Sequence, residues 1–256
     1  MLATNNAERI CALGKQVMLS KATLADISGK VTPKQAEALI TLFEAELELR
    51  AENKRRRLVK RATFPVLKFF TGYDWTPLSL PKTLTRAELM EAAYILRSEN
   101  VICYGPVGTG KTHLAIACGY AACQMGFKVK FITCAELVLR LTCAKETGRL
   151  DKVLTEYASN DLTILDEFGY VPIDKDGSRL LFQVISRLYE SKSLMLTTNL
   201  EFSRWSSVLT EEQMASAMID RLLHHGHVIT FRGESYRIRH ALINTRGDGP
   251  DELHNA

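Results

Sequence analysis

A glycine-rich segment followed by a lysine and a threonine carries the most recognisable chemistry of this sequence. Residues 105–112 read GPVGTGKT, which matches the pattern GxxxxGK[ST]. Glycines let backbone N–H groups close around an oxyanion, and a helix that begins at the lysine adds a favourable dipole. The pattern predicts a site for the phosphates of a nucleoside triphosphate, with Lys111 at the β- and γ-phosphates and Thr112 as a Mg²⁺ ligand. The predicted binding residues are Gly105, Pro106, Val107, Gly108, Thr109, Gly110, Lys111, Thr112 and the adjoining His113.

Two adjacent carboxylates, Asp166 and Glu167, follow the apolar run Leu162–Leu165. At the end of a strand, Asp166 can hold a Mg²⁺ ion with its water shell, and Glu167 can orient and deprotonate an attacking water. Separate acids for the metal and for the water are typical of a hydrolase rather than of a small-molecule kinase. The alternative is an acidic turn after a core strand.

A third apolar run ends in Thr197, Thr198 and Asn199. In a parallel sheet, a polar side chain at this point lies beside Glu167 and can hydrogen-bond the γ-phosphate or the water. The alternative is an asparagine that begins a loop. The predicted catalytic set from these motifs is Lys111, Glu167 and Asn199.

These motifs lie in a part of the chain that alternates between short β-type runs and helix-like segments. Buried strands without polar alternation, separated by four helix-like segments, indicate βαβ crossovers. We therefore predict a three-layer α/β core with a five-stranded parallel sheet. The strands are expected near Val101–Tyr104, Val129–Thr133, Leu162–Leu165, Ser193–Thr197 and Val228–Phe231.

The first quarter of the chain has a different pattern. Thr32, Pro33 and Gln35 have the order of a helix start with a capping box, and apolar residues at helical spacing continue this helix toward Arg61. Residues 63–81 contain three prolines and five aromatic residues, which favours an ordered linker. The predicted organisation is an N-terminal helical domain (1–62), a linker with the start of the core (63–97), the nucleotide-binding core (98–246) and a loose tail (247–256).

The composition is that of a globular protein. With 256 residues, 46% apolar and 24% charged, the chain is neither disordered nor collagen-like. Its six cysteines form no CxxC pair, and most of them are expected to be small core residues. No apolar run reaches the roughly 18 residues that a membrane helix needs, and the first residues lack the pattern of an export signal. We expect a cytoplasmic protein without membrane contact.

Positive charge is concentrated in the first 61 residues, which contain 12 basic and 7 acidic residues. Six of the eight residues from Lys54 to Arg61 are basic, and such a run can neutralise several nucleic-acid phosphates. The alternative is a solvated helix face. The predicted DNA contacts are Lys54, Arg55, Arg56, Arg57, Lys60 and Arg61.

Taken together, the motifs resemble those of AAA+ ATPases and, more narrowly, of the IstB family, the helper ATPases of certain bacterial insertion sequences. The helicase loader DnaC and the initiator DnaA are similar relatives. The resemblance extends from the helical region to about Arg246 and rests on GPVGTGKTHLA, LTILDEFG, SRLLFQVISRLYE, TTN and IDRLLHHGHVITFRGESYR.

The resemblance implies roles for individual residues. It makes Gly105–Thr112 the Walker A loop, Asp166 and Glu167 the Walker B pair, and Asn199 sensor 1. Arg221 matches the arginine finger that reaches the γ-phosphate of a neighbouring subunit. Residues 232–256 are too few for a full three-helix lid, so no sensor 2 arginine is assigned. Further candidates for phosphate or inter-subunit contacts are Arg179, Arg187 and Arg237.

The function implied by the resemblance is that of an ATP- and Mg²⁺-dependent regulator of DNA transposition. Such a protein assembles as an oligomer on duplex DNA and recruits or activates a transposase, with ATP hydrolysis as the switch. The alternatives are a DnaC-like helicase loader that prefers single strands, a P-loop small-molecule kinase, and a nucleotide-gated scaffold that barely hydrolyses ATP.

Overall fold

In the computed structural model the chain divides into two compact units, Met1–Arg57 and Leu58–Ala256. The structure describes residues 2–233, 235 and 236. The candidate Arg237 and the predicted tail 247–256 lie outside the described residues.

The first unit is helical. It contains α1 (Leu2–Gln16), α2 (Lys21–Ser28) and α3 (Pro33–Ala62), whose last residues belong to the second unit. At the start of α3, the Gln35 N–H donates to Thr32 Oγ1 at 3.4 Å and the Thr32 N–H donates to Gln35 Oε1 at 2.9 Å. The predicted helix start and its reciprocal cap are therefore confirmed. The three helices bury a common core of Ile10, Val17, Leu24, Ala36, Ile40 and Phe43.

The second unit is built on a six-stranded sheet with the order β1-β6-β2-β5-β4-β3. All neighbours are parallel except β1 and β6. The five predicted parallel strands are confirmed, and the predicted strand count of five is corrected to six. The strands are β1 (Leu78–Ser79), β2 (Asn100–Tyr104), β3 (Val129–Thr133), β4 (Leu162–Phe168), β5 (Ser193–Thr198) and β6 (Gly226–Phe231).

The additional strand β1 falls in the segment that sequence analysis assigned to a linker. It has two residues, and its register is set by β6, with Leu78 opposite Phe231 and Ser79 opposite Thr230. A strand this short leaves no alternation of polar and apolar residues in the sequence, so only its partner defines it.

Helices cover both faces of the sheet, which confirms the three-layer prediction. Successive side chains of β2 point to opposite faces: Val101 and Cys103 pack in a core that includes residues of α6, whereas Ile102 packs with residues of α7, α9 and α11. The helices of this unit are α4 (Arg86–Met90), α5 (Ala93–Leu96), α6 (Lys111–Gln124), α7 (Cys134–Glu146), α8 (Leu150–Ala158), α9 (Lys175–Leu188), α10 (Ser206–Leu209) and α11 (Glu212–His224).

The strand order determines which loops meet. Strand β5 lies between β2 and β4. Because the carboxyl ends of parallel strands lie at one edge of the sheet, the loop after β2, the end of β4 and the end of β5 are neighbours. This edge is therefore where the glycine-rich loop, the two carboxylates and the Thr-Thr-Asn segment come together.

Most of the cysteines are core residues, as expected. All six are free thiols, and four of them are buried. Burial raises the pKa of Cys103, Cys123 and Cys134 to about 12, so these thiols stay protonated and unreactive at neutral pH. Among the described residues, no helix is both long and apolar enough to cross a bilayer.

Candidate nucleotide site

The glycine-rich loop connects β2 to α6 and contacts two other segments of the chain closely. Gly105 has φ +151°, and a Cβ atom there would lie 2.4 Å from the carbonyl oxygen of Phe231. Gly108 has φ +78°, and a Cβ atom there would lie 2.1 Å from Ser235 Oγ. Both positions therefore require glycine, because of the backbone conformation and because of the space.

Lys111 is buried inside this loop. Its ammonium group donates to the carbonyl oxygens of Gly105 at 2.8 Å and Pro106 at 2.7 Å, and only 5% of the residue is exposed. Thr109 Oγ1 also donates to the Pro106 carbonyl, at 2.8 Å. The loop thus holds a positive charge at its centre, bound to backbone oxygens that phosphate oxygens can replace.

Thr112 and Asp166 meet at the sheet edge. Thr112 Oγ1, in the first turn of α6, donates to Asp166 Oδ1 of β4 at 3.0 Å, and Asp166 is 4% exposed. A hydroxyl and a carboxylate are hard oxygen ligands of the type that Mg²⁺ takes. The two predicted metal ligands therefore lie together, and their chemistry fits that ion.

Glu167 differs from Asp166 in exposure and in backbone conformation. The residue is exposed and has φ +60°, a left-handed conformation that is unfavourable for a residue with a Cβ atom. It lines an open groove of about 410 Å³ together with apolar residues that include Val138, Leu139 and Ile173. Solvent water therefore has access to the carboxylate that sequence analysis assigned to water activation.

Thr197 is a contact of this site that sequence analysis missed. Its hydroxyl donates a short hydrogen bond to Asp166 Oδ1 and accepts the Glu167 N–H at 3.1 Å. The predicted Asn199 follows β5 and is exposed, and within the described part of the chain its side chain makes no hydrogen bond to either acidic residue. The sequence contained little signal for Thr197, because threonine is an ordinary residue of a strand.

Two further segments contact the glycine-rich loop, and neither contains a sequence motif that predicts this contact. In the linker, Tyr73 Oη donates to the Gly110 carbonyl at 3.4 Å, and burial raises the pKa of this phenol. The predicted ligand His113 is placed against the same linker: a ring nitrogen lies 3.1 Å from the Phe69 carbonyl oxygen, and its ring centroid lies 4.9 Å from that of Tyr73. Beyond β6, the Tyr236 N–H donates to the Gly108 carbonyl at 3.0 Å.

The predicted arginine finger, Arg221, lies on α11. The guanidinium carbon of Arg221 is 4.4 Å from the ring centroid of Phe182. Arg179 pairs with Glu211 at 3.5 Å, and Arg187 pairs with Asp151 at 3.3 Å. Within the described residues, none of these three arginines is hydrogen-bonded to the glycine-rich loop of its own chain.

The basic run on α3 is partly neutralised within the helix. Arg55 pairs with Glu48 at 2.9 Å and with Glu52 at 3.3 Å, and Arg56 pairs with Glu52 at 2.8 Å. Hydrogen bonds from Arg56 and Arg55 accordingly lower the pKa of Glu52. The other four predicted DNA contacts are exposed: Lys54, Arg57, Lys60 and Arg61.

The fold and the site define the class of this protein: it has an AAA+ P-loop fold. A crystal structure of the DnaC helicase loader matches 59% of this chain and 92% of its own with a TM-score of 0.50 and 20% identity, which shows a shared fold. The chain belongs to the IstB-like ATP binding protein family, whose sequence model matches residues 19–243.

Two relatives from insertion sequences support this assignment and confirm the resemblance found in the sequence. The ATP-binding protein of insertion sequence IS5376 from Geobacillus stearothermophilus is 38% identical over 80% of this chain and 81% of its own. The ATP-binding protein of insertion sequence IS232 from Bacillus thuringiensis subsp. berliner is 35% identical over 79% and 81%, respectively.

Proposed function

We propose that this protein is an ATPase that regulates DNA transposition: it binds ATP, assembles on duplex DNA, and recruits or activates a transposase until hydrolysis ends the active state. The ATPase part derives from the site geometry. The transposition part derives from family membership and from relatives named after insertion sequences.

The observation that carries the ATPase proposal is that Asp166 and Glu167, although adjacent in sequence, differ in burial and in the groups around them. Asp166 is buried against the P-loop threonine, where a metal ligand is needed, and Glu167 is exposed beside the open groove. A kinase has to exclude water from the γ-phosphate, whereas a hydrolase needs an accessible base to orient it. The exposed Glu167 favours hydrolysis.

We assign Thr112 and Asp166 as the residues that would hold Mg²⁺. When bound, the ion would neutralise charge on the phosphates. The remaining tasks belong to the chain: the loop N–H groups and Lys111 hold the phosphates, Glu167 takes the proton of the attacking water, and Asn199 hydrogen-bonds the γ-phosphate or that water.

We assign Arg221 to the nucleotide site of a neighbouring subunit. Its guanidinium lies over the ring of Phe182 and, within the described residues, makes no hydrogen bond to the P-loop of its own chain. A finger supplied in trans makes hydrolysis dependent on assembly, and hydrolysis can then release the assembly from DNA. The nucleotide thus acts as a switch on the state of the oligomer.

Lys111→Ala tests nucleotide binding. We expect the affinity for ATP to fall by about 100-fold, because a charged hydrogen bond contributes about 1.5–3 kcal/mol and Lys111 would make more than one. Binding of a fluorescent ATP analogue, measured by titration at fixed salt, gives the affinity directly.

The matched control for this variant is Lys152→Ala, which removes an exposed lysine of α8 and the same charge. It should bind ATP as the unaltered protein does. ATP binding by Lys111→Ala within threefold of the unaltered protein would refute the assigned site.

Release of inorganic phosphate without an added acceptor would exclude the small-molecule kinase. An absence of ATP turnover under all conditions would favour the nucleotide-gated scaffold.

Neutralising the exposed part of the basic run tests DNA binding. Replacement of Lys54, Arg57, Lys60 and Arg61 by alanine should weaken duplex binding and make it less dependent on salt. If all four residues contact phosphates, the slope of log K against log salt should fall in magnitude by about 3.6, at about 0.9 per phosphate contact. Titration of labelled duplex at several salt concentrations measures both quantities.

The control replaces four exposed lysines outside the basic run, Lys15, Lys21, Lys30 and Lys34, and so changes the net charge equally. Equal losses in both variants would show a general charge effect and contradict a contact role for the α3 run. A preference of the unaltered protein for single strands over duplex would replace the transposition proposal with the helicase loader.

A further inference from the structure

The two acidic residues of the site lie at an irregularity of the sheet. Strands β4 and β5 pair in regular register up to Leu165 opposite Leu196, and the register resumes at Phe168 opposite Thr198. Between these pairs, Asp166 and Glu167 on β4 stand opposite the single residue Thr197 on β5. This is a β-bulge, which re-aims the side chains on the longer strand.

The bulge forces Glu167 into an unfavourable backbone conformation. Its φ of +60° lies in the left-handed region, which strains the backbone of a residue with a Cβ atom. Such a conformation persists only where neighbouring groups hold it. The carboxylates of Asp166 and Glu167 can have different surroundings, one buried and one exposed, because of this break in the alternation.

The Thr197 hydroxyl is the group that connects the two acidic residues. It donates to Asp166 Oδ1 and accepts the Glu167 N–H at 3.1 Å, and the residue is 1% exposed. Asp166 Oδ1 also accepts from Thr112 Oγ1 at 3.0 Å. One buried hydroxyl, with one donor and two acceptor positions, is thus hydrogen-bonded to both residues of the bulge.

We propose that Thr197 is a positioning residue for ATP hydrolysis, which fixes the Asp166 carboxylate toward Thr112 and holds the Glu167 backbone so that its carboxylate meets the attacking water. This inference rests on the proposed ATPase function. Thr197 touches neither substrate nor metal in this assignment and acts through the two acidic residues. Asn199, two residues further on, retains its separate predicted role.

Thr197→Val tests the inference, because valine keeps the shape and removes the hydroxyl. We expect kcat for ATP hydrolysis to fall by about 10- to 100-fold, since the Glu167 N–H loses a buried acceptor and Asp166 loses a donor. KM and the affinity for ATP should change by less than about threefold, because the contacts of the P-loop with phosphate stay intact. Thr197→Ser keeps the hydroxyl and should retain kcat within about threefold. If the valine variant does not fold, Thr197→Ala carries the same expectation.

The chain offers a matched control at the next residue. Thr198 is fully buried, and its hydroxyl donates to the Phe168 carbonyl at 2.8 Å and accepts the Leu200 N–H at 3.0 Å, without contact to either acidic side chain. Thr198→Val should destabilise the protein as Thr197→Val does while leaving kcat within about threefold. Equal losses of kcat in the two variants would reduce Thr197 to a structural role and overturn the inference.

A double variant identifies the residue through which Thr197 acts. Adding Thr197→Val to Glu167→Gln should lower kcat by less than about twofold further, because residues that act as a unit are not additive. Full additivity would contradict positioning through Glu167. If the unaltered protein hydrolyses ATP and Thr197→Val does so equally well, this inference alone fails. If the unaltered protein does not hydrolyse ATP, the proposed function fails first.

Discussion

Arg221→Ala is expected to lower ATP turnover by about 10³-fold in the presence of duplex DNA, because an arginine that stabilises the transition state in trans contributes a factor of this order. The affinity for ATP should stay within about threefold, since Arg221 has no hydrogen bond to the P-loop of its own chain within the described residues. Phosphate release and nucleotide titration on the same preparation separate the two effects. Turnover of Arg221→Ala within threefold of the unaltered protein would exclude the finger role.

Two controls distinguish a finger from a surface charge. Arg187→Ala removes a guanidinium of α9 that pairs with Asp151 at 3.3 Å, and it should leave turnover nearly unchanged if Arg221 is the finger. Arg221→Lys keeps the charge but loses the planar fork, so its turnover should remain low. A large loss in Arg187→Ala with a normal Arg221→Ala would move the finger to Arg187.

Mixing variants tests whether the arginine acts between subunits. Arg221→Ala retains an intact Glu167, and Glu167→Gln retains an intact Arg221. In a random mixture, about a quarter of the head-to-tail interfaces combine an intact site with an intact finger, so turnover should return to about a quarter of normal. A mixture with no more activity than its components would contradict a finger in trans.

Glu167→Gln is expected to lower kcat by about 10²- to 10⁴-fold, because a positioned general base contributes a factor of this size. ATP binding should persist, since the amide keeps the shape of the side chain and the residue is exposed rather than packed against the P-loop. The measurement is single-turnover hydrolysis together with nucleotide titration. Glu201→Gln is the control, because it changes another exposed carboxylate that follows β5.

Glu167→Gln also tests whether ATP hydrolysis controls release of the protein from DNA. If hydrolysis ends the assembled state, Glu167→Gln with ATP should stay on duplex DNA longer than the unaltered protein does, and a non-hydrolysable ATP analogue should prolong binding of the unaltered protein equally. Dissociation rates that are the same with ATP, with the analogue and in the variant would show that hydrolysis does not control release. That result would leave the ATPase intact and remove its proposed role.

Much of the architecture was predictable from local patterns. Five buried β-type runs with helical segments between them predicted the parallel strands, and Thr32, Pro33 and Gln35 predicted where α3 begins. These predictions succeeded because strand burial and helix capping depend on residues close together in the chain. The strand β1 was missed because its two residues are a strand only through their pairing with β6.

The candidate site likewise has features that local sequence predicted and features that only the tertiary structure revealed. By itself the sequence determined the glycine-rich loop and the pair of adjacent carboxylates, since both are patterns of residue types at consecutive positions. Only the tertiary structure decided that β5 lies between β2 and β4, that a bulge separates a buried Asp166 from an exposed Glu167, and that Thr197 joins them. It also decided that Ser235 and Tyr236 lie against Gly108. The physical reason is that these contacts depend on strand order and register, which result from packing of the whole sheet and leave no periodic signal in the chain.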